Sequence, residues 1–128
     1  MLDEPRAAKL LPAVARLLRE NLAQPTQHLL FQARVAANAV DLAAREAEMG
    51  PGFEAAEGER LKALLGEQGA LSDLNRILCE RILRGDFDAD PHGLKSHLWA
   101  VTLGKLAIDQ PSYAAYQRVV HAKAHQIG

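Results

Sequence analysis

Polar side chains recur at helical spacing within an otherwise apolar stretch, FQARVAANAVDLAARE, at residues 31–46. They are Arg34, Asn38, Asp41 and Arg45. On a helix they fall in one narrow arc between two apolar faces. The arc therefore either carries solvated pairs, such as Asp41 with Arg45, or forms one wall of a groove. In a groove, Arg34 and Asn38 would suit a carboxylate or phosphate, because the guanidinium is a planar fork of donors.

A second polar anomaly, in LKSHLWAVTLGKLAID, would supply the other wall of that groove. The apolar stripe of this segment consists of Leu94, Leu98, Val101 and Ile108. Lys105 stands where the rhythm calls for another apolar residue, and Asp109 follows four residues later. Pairing with Asp109 would satisfy Lys105, and snorkelling to water is the common alternative. If the two helices are neighbours, Arg34, Asn38, Lys105 and Asp109 either bind an anionic metabolite or form a buried network that orients the helices.

Histidine and cysteine positions add little further chemistry. His121 and His125 are four apart and could meet one metal ion, but no zincin glutamate accompanies them, so we interpret them as a surface pair. His92 and His97 are five apart, which predicts that they point to different sides of a helix. Cys79 has no base partner in the pattern and is interpreted as a packing residue.

The sequence predicts no catalytic residue, metal or cofactor. It contains no Walker loop, no dinucleotide glycine motif, no CxxC pair and no serine elbow. No set of acid, base and nucleophile can be assembled from the pattern. A non-catalytic role is therefore favoured over an enzymatic one.

Apolar residues recur every three or four positions along the chain, without sustained alternation, which predicts an all-α fold. Because 128 residues fit one domain, we predict a single helical bundle of five to six helices over residues 1–128. The predicted helices cover approximately residues 5–22, 26–50, 53–65, 71–84, 91–109 and 112 onward. Gly50-Pro51-Gly52 is predicted to end the second helix, and Asp90-Pro91 to start the fifth.

The second and fifth helices are predicted to lie at the centre of the bundle. The second has two apolar faces, one with Phe31, Val35, Ala39 and Leu42, the other with Leu29, Ala33, Ala37 and Val40. A helix that is apolar on two faces is covered by neighbours on both sides.

Charge and cysteine usage limit the partners and the compartment. The formal net charge is −1, so there is no basic surplus to favour nucleic acid. The single cysteine suits a reducing compartment, and MLDEPRAAK lacks the pattern of a secretory signal. Apolar runs such as LLPAVARLL are too short to cross a bilayer. We therefore expect a cytoplasmic protein with no membrane or nucleic-acid partner.

Three segments, FQARVAANAVDLAARE, RILRGDFD and KLAIDQPSYA, resemble a family of small bacterial all-helical domains of unknown function. The resemblance spans about residues 5–116, which leaves 117–128 as a variable C-terminal end. It differs from the family pattern at Gln32, where His is typical, and near Gln110 and Ser112, where Asn and Arg are typical. The resemblance implies an accessory role beside aminoglycoside-phosphotransferase-like kinases or acyl-CoA dehydrogenases.

The last predicted helix carries an apolar stripe that suits a protein partner or a second copy of the chain. Its members are Tyr113, Tyr116, Val120 and Ile127. A terminal amphipathic helix must cover its own core or that of a partner. The leading hypothesis is therefore a non-catalytic interaction module, and the alternative is a binder of small anionic metabolites.

Overall fold

A computed structural model describes residues 4–21 and 27–125, and these ranges form five helices without a strand. The helices are α1 (Ala7–Asn21), α2 (Gln27–Leu65), α3 (Leu71–Leu83), α4 (His92–Asp109) and α5 (Ala114–His125). This confirms the predicted all-α class. Of the sequence-based predictions, the end of the first helix at residue 22, the start of the second at 26 and the place of Ile127 lie outside the described residues. No helix in the described ranges combines the length and the apolar character that a membrane span requires.

The predicted helix break at Gly50-Pro51-Gly52 is wrong, because α2 continues through it to Leu65. Neither glycine adopts a positive φ. Proline in a helix interior removes one backbone hydrogen bond and crowds a carbonyl, at a cost of about 3 kcal/mol. Packing of the residues on either side outweighs that local cost.

The chain divides at this point into two compact units. Unit 1 is Met1–Gly50 and unit 2 is Pro51–Gly128. The prediction of one bundle with the second and fifth predicted helices at its centre concerns the arrangement of the two units, and it stays a prediction.

In unit 1, the buried side of α2 is a narrow seam of small residues. Ala36, Ala43 and Gly50 are buried, and they are seven residues apart. This spacing is the heptad repeat of two helices that pack closely along their length. The prediction that both apolar faces are covered is wrong, because Phe31 is 65% and Val35 47% exposed.

The start of α1 is tied to α2 within the same unit. The backbone N–H of Ala7 donates to a carboxylate oxygen of Glu46 at 2.7 Å. The first N–H groups of a helix have no partner inside the helix. A negative charge at this end interacts favourably with the positive end of the helix dipole. Val14, two turns further along α1, is buried.

Unit 2 is built around a leucine cluster shared by α2 and α3. Its buried members are Leu61, Leu65, Leu74 and Leu78. Glycines with positive φ end both helices, as the sequence predicts: Gly66 at 70° and Gly85 at 79°. Arg81 donates to the backbone carbonyl of Leu65 at 2.9 Å and so caps the end of α2.

The buried face of α4 shares Ile108 with the predicted stripe, and Leu94 packs against the leucine cluster, but the rest of the face differs. His97, Gly104, Ala107 and Ile108 are buried. Leu98, predicted to be in the stripe, is 45% exposed, and Trp99 is 52% exposed. The predicted start is also shifted by one residue, since Pro91 is the N-cap. Asp90 still accepts a hydrogen bond from the backbone N–H of His92 at 3.2 Å.

Candidate functional site

A cavity of about 330 Å³, open to solvent over much of its extent, lies in unit 2 between the C-terminal part of α2 and the first turns of α4. It is lined by Arg60, Ala63, Leu64, Gly93, Ser96 and His97. Three of these six side chains are apolar or absent, whereas one is a cation, one an imidazole and one a hydroxyl. This combination of an apolar wall with a few converging polar groups is typical of small-molecule sites.

The lining follows from helical spacing on both helices. On α2, Ala63 and Leu64 lie three and four residues after Arg60, so all three share one face. On α4, Gly93 lies four residues before His97. A Cβ at Gly93 would come within 3.0 Å of Leu64 Cδ1, so the glycine permits the close approach of the two helices at this point.

Two nitrogen atoms of the lining side chains are enclosed without a hydrogen-bond partner among the described residues. They are Nδ1 of His97 and Nε of Arg60. His97 as a whole is only 4% exposed. Most buried polar groups in native proteins are paired, and an unpaired one costs about 1–3 kcal/mol. The fold therefore retains two costly polar atoms at the wall of one cavity.

His97 is held in its neutral form. Burial lowers the pKa of its imidazole, the nearby Arg60 cation lowers it further, and Glu57 acts in the opposite direction. A neutral imidazole carries one N–H donor and one acceptor lone pair. At neutral pH, the only formal positive charge among the lining side chains is therefore that of Arg60.

Glu57 lies one turn before Arg60 on α2 and is a buried acid, 7% exposed. Its Oε1 accepts a hydrogen bond from Asn75 Nδ2 at 3.0 Å. Asn75 also donates to the carbonyl of Leu71 at 3.2 Å, which fixes the amide on α3. The buried carboxylate does not line the cavity, but it has a side-chain donor on α3 and its charge acts on His97.

The lowered pKa of His97 predicts a loss of stability in mild acid. The unfolded imidazole titrates near 6.5, above the folded one, so the unfolded state binds more protons between the two values. Stability is thus fully present above 6.5 and falls as the pH decreases through the folded pKa. Urea unfolding of the wild type and His97→Gln between pH 7.5 and 5 should show a smaller decrease in the variant. An equal decrease in both would contradict this origin.

The structure places the predicted groove residues on both units. In unit 1, Arg34, Asn38 and Asp41 are exposed and Arg45 is half-buried. In unit 2, Lys105 is half-buried and Asp109 is exposed. Gln110 donates to Asp109 at 3.4 Å. Because the four candidate ligand-binding residues are divided between the units, their convergence on one groove stays a prediction.

The predicted interaction stripe is partly open to solvent. Tyr113 is 51% and Val120 40% exposed, and Tyr116 is half-buried.

His121 is exposed, whereas the side chain of His125 lies outside the described part of the chain. Cys79 is exposed, so its interpretation as a packing residue is wrong. It follows the buried Leu78 and turns to the other side of α3.

Sequence reasoning missed Glu57, Arg60 and His97 as a group. It did predict that His92 and His97 point to different sides, and this is confirmed, since His92 is exposed and His97 buried. The available signal was spacing. Glu57 and Arg60 precede the first core leucine, Leu61, by four residues and by one residue. A glutamate at such a position is more often solvated, so the pattern alone favours no site.

Comparison with known proteins gives one match. Residues 23–113 match a protein family described as a domain of unknown function (DUF6285). No curated protein matches the chain significantly, and neither does any solved structure. The matched range includes every residue of the cavity lining.

Proposed function

Because the chain belongs to the DUF6285 family, whose description assigns no function, we propose one from the site itself: a non-catalytic module that binds a small anionic metabolite in the cavity of unit 2. The observation that carries the proposal is the Arg60 guanidinium, which lines an apolar cavity and makes no ion pair with any described residue. An arginine kept at such a wall is suited to recognise an anion.

The N-terminal end of α4 supports the same preference. Gly93 lies in the first turn of this 18-residue helix, where the helix dipole favours a negative charge, and Asp90 already places a carboxylate beside the N–H of His92 at this end. The neutral imidazole of His97 adds a hydrogen-bond donor without the desolvation cost of a buried charge. Arg60 and the end of α4 therefore favour an anion over a cation, and His97 offers a further hydrogen-bond donor.

The proposal is tested by thermal unfolding in the presence of a panel of small carboxylates, phosphates and sulfates. A ligand that binds only the folded protein raises the melting temperature, with roughly 2.7 kcal/mol of stabilisation at 100 times Kd. We expect at least one anion to stabilise the wild type and to lose that effect in Arg60→Gln. Arg76→Gln, which removes an exposed arginine paired with Glu80 on α3, should retain it. No stabilisation by any anion, or equal stabilisation in Arg60→Gln, would contradict the proposal.

A second candidate function is an accessory interaction module, supported by the exposure of Tyr113 and Val120 on and beside α5. In this proposal the partner is a phosphotransferase-like kinase, an acyl-CoA dehydrogenase or a second copy of the chain, in the bacterial cytoplasm. The partner classes come from the family resemblance of the three quoted segments. Sedimentation velocity of the chain alone and mixed with each purified candidate enzyme tests it. Complexes that persist unchanged in Tyr113→Ser and Val120→Ser would exclude this surface.

A further inference from the structure

We propose that the cavity of unit 2 takes a small monocarboxylate with a short apolar body, and that it discriminates against doubly charged phosphates. This inference rests on the proposed anion-binding function and names the class of ligand. The carboxylate would meet Arg60 and His97, and the apolar body would lie against the aliphatic side of the cavity.

The charges around the cavity favour a single negative charge on the ligand. Arg60 contributes one positive charge, His97 is neutral, and Glu57 contributes one negative charge from its buried position outside the cavity lining. Arg60 and Glu57 together carry no net charge, so a monoanion that pairs with Arg60 leaves one uncompensated negative charge at the site. A dianion leaves two uncompensated negative charges, both repelled by Glu57, and it loses more hydration free energy on binding than a monoanion does.

The available donors match a planar carboxylate. Nε of Arg60 is enclosed, which leaves the two terminal nitrogens of the guanidinium for a ligand. These nitrogens lie side by side and pair with the two oxygens of a carboxylate. Nδ1 of His97 is enclosed as well, which leaves Nε2 as the ring atom for a third hydrogen bond. A proton on Nε2 makes His97 a neutral donor.

The size and lining of the cavity select a short apolar body. A volume of about 330 Å³ is at the lower end of the range for ligand sites, about 300–1,000 Å³. Ala63 and Leu64 form its aliphatic wall, and Gly93 contributes no side chain. Each methylene buried there adds about 0.8 kcal/mol. Butyrate should therefore bind more tightly than acetate, by roughly tenfold for two additional methylenes if each is largely buried.

Calorimetric titration of the full chain with butyrate, acetate and butyl phosphate, at pH 7.5 and constant ionic strength, tests the inference. We expect butyrate to bind at least tenfold more tightly than butyl phosphate, which is a dianion at this pH. Tighter binding of butyl phosphate than of butyrate would overturn the monocarboxylate assignment. If Arg60→Gln then abolished the binding of butyl phosphate, the proposed anion-binding function would remain intact. Absence of binding by all three probes would overturn the inference, and the wider anion panel would then decide the function separately.

Two variants on α2 test the role of Glu57 in the preference for a monocarboxylate. Glu57→Gln retains an oxygen that accepts the Asn75 hydrogen bond but removes the charge, so the preference for butyrate over butyl phosphate should fall at least threefold. Glu59→Gln is the matched control, because Glu59 is exposed and pairs with Lys62 at 2.8 Å. An unchanged preference in Glu57→Gln, or an equal fall in Glu59→Gln, would overturn the electrostatic part. If Glu57→Gln does not fold, the comparison of probes on the wild type still decides the inference.

Discussion

Replacing Leu74 with alanine is expected to lower the free energy of unfolding by about 3 kcal/mol. Leu74 is completely buried in the leucine cluster of unit 2, where Leu61, Leu65 and Leu78 surround it. Removing three carbon atoms from such a site loses their transfer free energy and leaves a cavity that the neighbours fill only in part. Urea denaturation followed by circular dichroism measures the loss.

Leu83→Ala is the control for that prediction, because Leu83 lies on the same helix and is 87% exposed. The chemical change is identical, so the difference between the two variants isolates burial. We expect Leu83→Ala to change the free energy of unfolding by less than about 0.5 kcal/mol. Similar losses in both variants would show that the leucine cluster is not the core of this unit.

Asn75→Ala is expected to lower the free energy of unfolding by about 2 kcal/mol, because it removes the amide that donates a hydrogen bond to the buried Glu57. A hydrogen bond to a charged group contributes about 1.5–3 kcal/mol, and a buried carboxylate without it keeps its desolvation penalty. Asn38→Ala, at an exposed position of α2, should change stability by less than about 0.5 kcal/mol.

A double-mutant cycle separates the pair from the single effects. Glu57→Gln, Asn75→Ala and the double variant are compared with the wild type by the same denaturation experiment. We expect a coupling free energy of about 1 kcal/mol or more between the two positions, because the neutral amide needs the donor less than the carboxylate does. Strict additivity would mean that Asn75 stabilises the chain through its bond to Leu71 alone.

The fold class and most helix ends could be predicted from the sequence because they depend on local signals. Helical periodicity predicts the class, and Gly66 and Gly85 end their helices through a left-handed conformation that favours glycine. Gly50-Pro51-Gly52 gives an equally strong local signal, but there the helix continues. Local conformational propensity predicts helix ends only weakly, because tertiary packing can override it. The residue pattern of this segment does not indicate that packing.

The candidate site was less predictable, because it depends on which face of each helix is buried. If α4 is rotated by one residue from its predicted orientation, Leu98 faces solvent and His97 faces the interior. The predicted and the observed orientation both fit the same spacing of apolar residues. The decisive residues were Gly104 and Ala107, whose small size gives little hydrophobic signal although both are buried. Small residues mark close helix contacts that hydrophobicity alone does not indicate.

Trp99 lies two residues after His97 but on the solvent side of α4, 52% exposed. As the chain's single tryptophan, it dominates the intrinsic fluorescence. A half-exposed indole already emits as a hydrated one does, so unfolding should shift the emission maximum little. The optical signal of this protein therefore reports the surface of α4 and not the leucine core, and it distinguishes the folded chain poorly from the unfolded one.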